Sequence, residues 1–258
     1  MVQRLRMPMK YYSFIFYLFS ILFSQTGYEI AERMTSREAP LDIKSKLIMT
    51  LEDKDNNKME SIIRSQTKDN GKKQIMWFLY PPDSRGISLY KIENKKGRDI
   101  MKMWLPAFKK IRKISSSRKS DNFMGSDLSF EDLYSRELDD YSYTVEFIEE
   151  SNQYIMTSIP KENIKSSYSK HISWINKDNL LINKEQSYNK SGSLFKTKEF
   201  KYINIDGFDL VEKITVVDIK KNHKTYLKFE EMILNSGLKD SDFHEKNLRR
   251  IPIDKDMK

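Results

Sequence analysis

The sequence of this 258-residue chain predicts a mainly β (α+β) protein built on one antiparallel sheet that curves strongly or closes on itself. From Leu41 onward, apolar and polar residues alternate with the period of half-buried strands. Short polar turns separate these runs, which is typical of antiparallel pairing. One run, QIMWFLY (residues 74–80), is apolar on both faces, so it predicts a strand covered on both sides.

The first 26 residues have the form of a secretory signal peptide. Three basic residues and no acidic one precede an apolar, aromatic run over residues 11–23, which is too short to span a bilayer but has the length of a signal's apolar region. Small side chains at Ser24 and Thr26 suit a cut before Gly27. We therefore expect residues 27–258 to be exported as one domain; an uncleaved membrane anchor is the alternative and exports the same residues.

The composition supports a folded, exported domain. Hydrophobic residues make up 38% of the chain, enough to bury a core and too many for a disordered protein. The absence of cysteine means that no disulfide supports the fold and that no N-terminal cysteine carries a lipid. Removing the signal takes away three of the 46 basic and none of the 37 acidic residues, so the net charge falls from +9 to +6. Such a mildly basic surface suits solubility or attraction to anionic lipid surfaces.

The elements of the first half can be read in chain order. Ile30, Ala31 and Met34 have helical spacing and predict a short amphipathic helix before Pro40. A strand follows with Leu41, Ile43, Ser45, Leu47, Met49 and Leu51 on one face. Asn70-Gly71 then predicts a tight hairpin turn before QIMWFLY. ISLYKIEN, a Lys-Lys-Gly turn and DIMKMWLP predict a further hairpin.

The second half predicts a meander. Its strands run from KHISWI to TYLKFEEMIL, with turns at 176–179, 189–192, 206–207 and 220–224. We expect nine or ten strands in total, and open sheets of that size seldom stay flat.

A central segment, SSSRKSDNFMGSDLSFEDL (residues 115–133), joins the two halves of the chain. Its first half is basic and rich in small residues, whereas its second half is acidic and aromatic. Ser129 and Asp132 have the spacing of a capping box, and apolar residues recur behind them, so we expect an amphipathic helix over 129–138. The basic, serine-rich part in front of it reads as a loop in which Gly125 permits an unusual backbone conformation.

The chain contains no recognisable catalytic or metal-binding motif. Its three histidines have no ligand spacing, and DKDNNKME (residues 53–60) lacks the glycine and the distal glutamate of a calcium loop, with Lys58 and Arg64 in their places. A hairpin turn is the simpler interpretation. No nucleophile elbow, phosphate loop or dinucleotide fingerprint occurs. We expect neither an enzyme nor a cofactor or metal.

A run of basic residues between the two halves has two interpretations. It is either a patch that contacts lipid headgroups or an acidic partner, or a solvated strand end and loop. Nucleic acid is not expected, because the protein is exported and the run lacks interleaved aromatic residues. The residues concerned are Lys109, Lys110, Arg112, Lys113, Arg118 and Lys119.

Three stretches resemble the outer-membrane lipoprotein-sorting (LolA-like) family. They are LYPPDSRGISLY, MWLPAFKKIRKISSSRKSDNFMGSDLSFEDL and RELDDYSYTV, which are similar to the family's FLSPADVRGTGLL, YLPALKRVRRI and SFMGSDFSYEDL patterns. FMGSD followed by EDL is the most specific part. The resemblance extends, more weakly, over most of residues 27–250. Lys102 departs from it, since the family often has Trp there, and this puts the shape of that wall in doubt.

The resemblance implies a strongly curved, incompletely closed antiparallel β-barrel with short helices packed in its concave face, as in LolA- and LppX-like proteins. It implies a periplasmic, non-enzymatic carrier that binds acyl chains of lipids or lipoproteins in an apolar cavity and helps move them toward the outer membrane. An inner-membrane transporter and an outer-membrane acceptor are the expected partners, and a monomer is expected. The alternative function is a periplasmic lipid-sensing regulatory or scaffold protein that works with an inner-membrane transporter or signalling partner.

Candidate cavity residues come from the apolar stripes and from the central segment. Met and aromatic side chains suit an adaptable lining, although core packing explains any single one of these positions more often than lipid contact does. Residues 123–133 are a candidate lid or rim, or a structural turn that holds the chain against the sheet. The candidates are Ile75, Trp77, Leu79, Met101, Met103, Leu105, Phe123, Met124, Phe130 and Leu133.

Overall fold

The computed structural model describes residues 27–94 and 99–251. The expected signal peptide (1–26) and the Lys-Lys-Gly turn (95–97) lie outside the described residues. Within the described part, the chain forms one α-helix, α1 (27–35), and one sheet of thirteen strands. The helix confirms the amphipathic spacing of Ile30, Ala31 and Met34. No helix in residues 27–94 or 99–251 is long and apolar enough to cross a membrane.

All neighbouring strands in the sheet are antiparallel. The strands are β1 (Asp42–Glu52), β2 (Lys58–Lys68), β3 (Lys73–Tyr80), β4 (Ser88–Ile92), β5 (Ile100–Leu105), β6 (Lys110–Lys113), β7 (Tyr141–Ile148), β8 (Gln153–Pro160), β9 (Tyr168–Asn176), β10 (Ile182–Asn189), β11 (Leu194–Ile205), β12 (Phe208–Asp218) and β13 (His223–Leu234).

The sheet is curved and open, as the sequence predicts. Its spatial order is β6-β5-β4-β3-β2-β1-β13-β12-β11-β10-β9-β8-β7, so β1 pairs with β13 in the middle, and β6 and β7 are the two edges. The segment between β6 and β7 therefore connects one edge of the sheet to the other. Strand twist makes a sheet of this width curl around whatever packs on one face.

The predicted turns are confirmed, but the strand count was too low. Asn70-Gly71 lies at the β2–β3 turn with positive φ at both residues, and Asp53 caps the β1–β2 turn through bonds from the backbone N–H groups of Asp55 and Asn57. Thirteen strands replace nine or ten, because β6, β7 and β8 were not anticipated. Leu41, expected on the buried face of β1, precedes the strand and is exposed.

Strand β3 separates two apolar clusters, as its doubly apolar sequence predicts. Met76 and Phe78 join a cluster on the inner face of the sheet with Leu47, Met49, Leu51, Leu89, Met101, Met103, Phe123 and Phe130 among others. Ile75 and Trp77 point to the outer face and pack against Leu238, Phe243 and Leu248 near the C-terminus. Covering both faces removes this strand's apolar side chains from water.

A third cluster holds α1 against the opposite end of the sheet. Ile30 and Ala31 pack with Tyr141 and Tyr143 of β7 and with Met156 of β8. The Cβ of an alanine at Gly27 would lie 2.7 Å from the carbonyl oxygen of Tyr143, so only glycine permits this close approach.

The helix expected over residues 129–138 does not form. The capping contacts do exist, since the Ser129 N–H donates to Asp132 Oδ2 at 2.8 Å. However, only short 3₁₀ turns follow at Glu131–Leu133 and Leu138–Asp140. The carboxylates of Glu131 and Asp132 bond to residues on β9, β11 and the loop before β9. These tertiary contacts override the local helical pattern.

Asp42, at the start of β1, ties the beginning of the sheet to its end. Its carboxylate accepts hydrogen bonds from Ser236 N–H and Oγ and from the N–H groups of Gly237 and Leu238, at 2.6–3.1 Å. These bonds outweigh the effect of burial and lower the pKa of Asp42.

We expect Asp42→Asn to lower the free energy of unfolding by about 1–3 kcal/mol, because an amide nitrogen would face buried N–H donors. Urea denaturation measures this change. Asp55→Asn, at an exposed turn position, is the matched control and should change stability by less than about 0.5 kcal/mol. Equal effects of the two substitutions would contradict the prediction.

Candidate functional site

A cavity of about 630 Å³ lies between the inner face of the sheet, α1 and the central segment. Its volume is within the range of pockets that hold small organic ligands, about 300–1,000 Å³. Most of its wall is apolar and comes from distant parts of the chain. The apolar residues that line it are Ala31, Met34, Leu47, Met76, Phe123, Leu128, Leu133, Tyr134, Tyr143, Met156, Ile182, Phe200, Val211, Ile214, Leu227 and Phe229.

One end of the cavity is polar. Asp132 of the central segment and Arg136, three residues beyond its end, line it together with Glu185 of β10 and Lys198 of β11. A second, polar cavity of about 360 Å³, which we call the vestibule, adjoins this end and shares Asp132, Arg136 and Lys198 with it. The apolar cavity and the polar vestibule thus adjoin at a wall that includes charged side chains.

These side chains belong to a buried charge cluster, defined here as Asp132, Arg136, Glu185, Lys196 and Lys198. The carboxylate of Asp132 contacts Lys196 Nζ at 2.9 Å and Lys198 Nζ at 2.7 Å. Glu185 accepts from Arg136 Nη2 at 2.6 Å and lies 3.3 Å from Lys198 Nζ. The side chains of both carboxylates are only 2% exposed.

Strand register builds this cluster. Glu185 on β10 lies between Ser173 on β9 and Lys198 on β11, and in the next row Ser187 lies between His171 and Lys196. Side chains two residues apart on one strand share a face, so both rows point to the interior. The connection between β6 and β7 then adds Asp132 and Arg136, which pair with Lys196, Lys198 and Glu185.

Burial and neighbouring charges shift the pKa values of the cluster in identifiable ways. Burial opposes ionisation of Asp132, but the charges of Lys198 and Lys196 outweigh it and hold the pKa of that carboxyl well below its usual range. The pKa of Glu185 is lowered in the same way, with burial outweighed by the charges of Arg136 and Lys198. Both carboxylates are therefore ionised at neutral pH.

His171 has no charge under the same conditions. Burial, reinforced by the Arg136 charge, lowers its pKa to about 3. Its Nδ1 lies 2.9 Å from Ser187 Oγ. No three histidine, aspartate or glutamate side chains within residues 27–94 and 99–251 are grouped so that they could hold a metal ion.

The cavity candidates from the sequence fall into three groups. Phe123 and Leu133 line the cavity, and lipid contact at these positions stays a prediction. The others on the inner face belong to the neighbouring core or pack against it: Met101, Met103, Leu105, Met124 and Phe130.

The third group lies on the outer face. Ile75 and Trp77 are placed away from the cavity, because the C-terminal segment covers them and Trp77 Nε1 donates to the carbonyl of Asn247 at 3.1 Å. Leu79 lies at a register shift between β2 and β3 and is partly buried, and lipid contact there stays a prediction. Lys102, which departs from the family pattern, pairs through its ammonium group with Glu245 of the C-terminal segment that covers the outer face.

Most of the basic run is exposed at the sheet edge. Lys109 follows β5, whereas Lys110, Arg112 and Lys113 are on edge strand β6, next to the exposed ring of Phe108. Farther along, Arg118 is 3.8 Å from Asp121, and Lys119 is half-buried over the ring of Tyr134. Contact with headgroups or a partner stays a prediction for these residues.

Sequence reasoning missed the charge cluster. The signal was present as charged or polar residues at i and i+2 on two successive strands, Glu185 and Ser187, then Lys196 and Lys198. A period of two places each pair on one face of its strand. It does not reveal which face is inside.

An open, curved antiparallel sheet around an apolar cavity with a charged wall defines a cavity protein of mainly β structure. A family model described as "-like: Uncharacterized protein" matches residues 70–250. A structure described as an outer membrane lipoprotein-sorting protein domain from Vibrio parahaemolyticus is 26% identical, with a TM-score of 0.81, over 88% of this chain and 100% of that one.

Two further structures are similar. A DUF1329 family protein from Desulfovibrio piger is 27% identical, with a TM-score of 0.79, over 88% of this chain and 99% of its own. A LolA superfamily protein from Nitrosomonas europaea, 20% identical with a TM-score of 0.67 over 87% and 98% of the two chains, shares the fold. The comparison with curated proteins found no match. This chain belongs to the outer-membrane lipoprotein-sorting, LolA-like family.

Proposed function

We propose that this protein is a periplasmic, non-enzymatic carrier that holds acyl chains of lipids or lipoproteins in the apolar cavity and helps move them toward the outer membrane. In this proposal residues 1–26 are the export signal and residues 27–258 form one carrier domain. The observation that carries the proposal is the 630 Å³ apolar cavity on the inner face of an open sheet. The description of the Vibrio parahaemolyticus relative as a lipoprotein-sorting domain supports it.

The apolar lining supplies enough energy to hold an acyl chain. Each buried methylene contributes about 0.8 kcal/mol, so a 16-carbon chain gains on the order of 10 kcal/mol before ordering costs. A carrier must also release its cargo. The wall formed by α1 suits release, because the long-range side-chain bonds of this helix region are exposed or only partly buried: Tyr28 with Asp139, and Arg37 with Asp209 at 3.4 Å.

The carrier proposal can be tested by native mass spectrometry of the full chain, purified from the periplasm, followed by solvent extraction and identification of bound lipid. We expect a co-purifying acyl lipid. Ile214→Glu places a carboxylate in the cavity wall and should reduce acyl-chain affinity at least about tenfold, since desolvating an unpaired charge costs several kcal/mol.

Ile219→Glu is the matched control, because Ile219 lies just beyond the end of the same strand with its side chain 46% exposed. It should retain the lipid, and circular dichroism should show both variants folded. A wild-type protein that is empty and takes up no fluorescent fatty acid would contradict the proposal. Bound lipid that never transfers between vesicles, with tight association to one membrane protein, would instead favour the lipid-sensing scaffold.

A further inference from the structure

Phe108 lies exposed in the short turn between β5 and edge strand β6. Pro106 begins this turn and Lys109 ends it with a φ of 47°, in the left-handed region. Phe108 is 70% exposed and belongs to none of the three apolar clusters within residues 27–94 and 99–251. A single exposed ring is common on protein surfaces, so its surroundings decide whether it marks a contact site.

The surroundings of Phe108 are basic and come from two distant parts of the chain. Ile111 of β6 lines a groove of about 520 Å³ together with the C-terminal turn at Glu245–Arg249 and with Arg250. We call residues 106–113 and 245–250 the edge surface. Its basic residues are all exposed: Lys109, Lys110, Arg112 and Lys113 from the first part, and Lys246, Arg249 and Arg250 from the second.

The positive charge of the edge surface is not balanced by nearby acidic side chains. None of its basic residues forms an ion pair with an acidic residue in the part of the chain that the structure describes. Glu245 is its one acidic residue, and its carboxylate pairs with Lys102. The neighbouring β3–β4 turn contributes one exposed aspartate and one exposed arginine, which cancel. Residues 252–258, outside the described part, contain two aspartates and two lysines, so their side chains add no net charge.

Two features of the edge surface disfavour an acidic protein as its partner. A stable protein interface has a desolvated, largely apolar centre, whereas this surface offers one ring on a turn. Lysine side chains on an edge strand also oppose the addition of a strand from a second chain. A membrane requires neither feature, because a few apolar groups at headgroup level and several basic side chains are sufficient for attraction to an anionic bilayer.

We propose that the edge surface docks the protein on an anionic membrane, with the Phe108 ring inserted at headgroup level and the basic side chains against lipid phosphates. This inference goes beyond the proposed function, since it does not require that the cavity hold a lipid. It would place the carrier against a bilayer through an edge of its sheet.

Co-sedimentation with vesicles tests the docking of the full chain, purified from the periplasm. One set of vesicles is phosphatidylcholine alone, and the other is phosphatidylcholine mixed equally with phosphatidylglycerol. We expect binding to the anionic vesicles to be at least about tenfold tighter, because each basic residue close to an anionic surface contributes about a fivefold factor. Added salt should weaken this binding. Wild type and variants carry the same N-terminus, so differences between them report on the substituted surface.

Two variants test the edge surface. Phe108→Ala should weaken binding to the anionic vesicles about tenfold, because the inserted ring no longer leaves water. The double substitution Lys109→Gln with Lys110→Gln should weaken it at least about tenfold and reduce its dependence on salt.

Matched controls remove the same groups from other parts of the sheet. Phe147→Ala removes a ring that is 40% exposed on the opposite edge strand, β7. Lys201→Gln with Lys213→Gln removes two surface lysines that face each other on β11 and β12. At physiological ionic strength, charges more than about 8 Å from the membrane are screened, so these controls should change binding less than about twofold. Circular dichroism should show every variant folded.

Each other result contradicts the inference. Equal binding of wild type to neutral and anionic vesicles would overturn it. Binding that requires anionic lipid but is unchanged in both edge-surface variants would place the contact elsewhere on the molecule and overturn it as well. If wild type binds neither kind of vesicle, the membrane assignment fails, and an acidic protein becomes the partner to seek for this surface. The carrier proposal is judged separately, by bound lipid in the cavity.

Discussion

Asp132→Asn is expected to lower the free energy of unfolding by about 3–5 kcal/mol, because it removes one carboxylate from a buried cluster and leaves Lys196 and Lys198 without their main counter-ion. Glu185 would then face three cations alone. Both lysine side chains are at most 7% exposed, so water cannot replace the lost partner. Urea denaturation at pH 7, with m-values compared, measures the change.

Asp121→Asn provides the control for this prediction. Asp121 lies in the same central segment and pairs with Arg118 at 3.8 Å, but both side chains are about half exposed. Its substitution should therefore cost less than about 1 kcal/mol. A loss at Asp132 no larger than the loss at Asp121 would mean that the cluster is hydrated and does not stabilise the fold.

Stability is expected to fall as the pH drops below 6.5, in part because His171 is buried in the neutral form. Its pKa is about 3 in the folded protein, whereas the ordinary pKa of histidine is 6.5, so between these values the unfolded chain binds a proton that the folded protein does not. The stabilisation is complete above pH 6.5 and is lost as the pH falls toward 3. The slope well inside this window is about 1.4 kcal/mol per pH unit.

Measurements between pH 5 and pH 6.5 isolate this effect, since the carboxylates with lowered pKa values contribute mainly at more acidic pH. Urea midpoints of wild type should fall across this window, and His171→Gln should remove up to about 1.4 kcal/mol per pH unit of the slope. His244→Gln changes an exposed histidine near the C-terminus and serves as the control. An identical slope in wild type and His171→Gln would show that His171 already titrates normally in the folded protein.

Local signals in the sequence were sufficient for most of the sheet. Asn70-Gly71 and the polar turns of the second half fix chain reversals within a few residues, and the alternation of Leu47, Met49 and Leu51 marks a face that is buried. Strand β6 was not predicted as a separate strand, because it has only four residues and three of them are basic and exposed. Its pairing depends on β5 rather than on its own pattern.

The sequence assigned the apolar stripe of β3 to the wrong surface. Alternation shows that Ile75 and Trp77 share a face, but both faces of this strand are apolar. The choice between cavity and core depended on where residues 238–251 pack, since these cover the outer face. The contact between Trp77 and Asn247 joins positions 170 residues apart, and no local pattern encodes it.

The conformation of the central segment also depends on contacts with distant residues that its local sequence does not encode. Ser129 and Asp132 have the spacing of a capping box, and the capping bonds form, but Asp132 also bonds to Lys196 and Lys198 from β11. Several charge-assisted contacts in a buried site outweigh the few tenths of a kcal/mol per residue that favour a helix. The helix therefore gives way to two short 3₁₀ turns.

The sequence by itself determined the mainly β class, the positions of most strands and turns along the chain, and the family resemblance. Each of these depends on residues that are close together in the chain. The tertiary structure alone decided which apolar residues enclose the cavity and which form the outer core. It also decided the charge cluster, since Asp132 and Arg136 meet Glu185 and Lys198 only through strand register and a segment that crosses the sheet. Burial and charge pairing depend on side chains that distant segments bring together in the folded protein, and no single stretch of the chain encodes them.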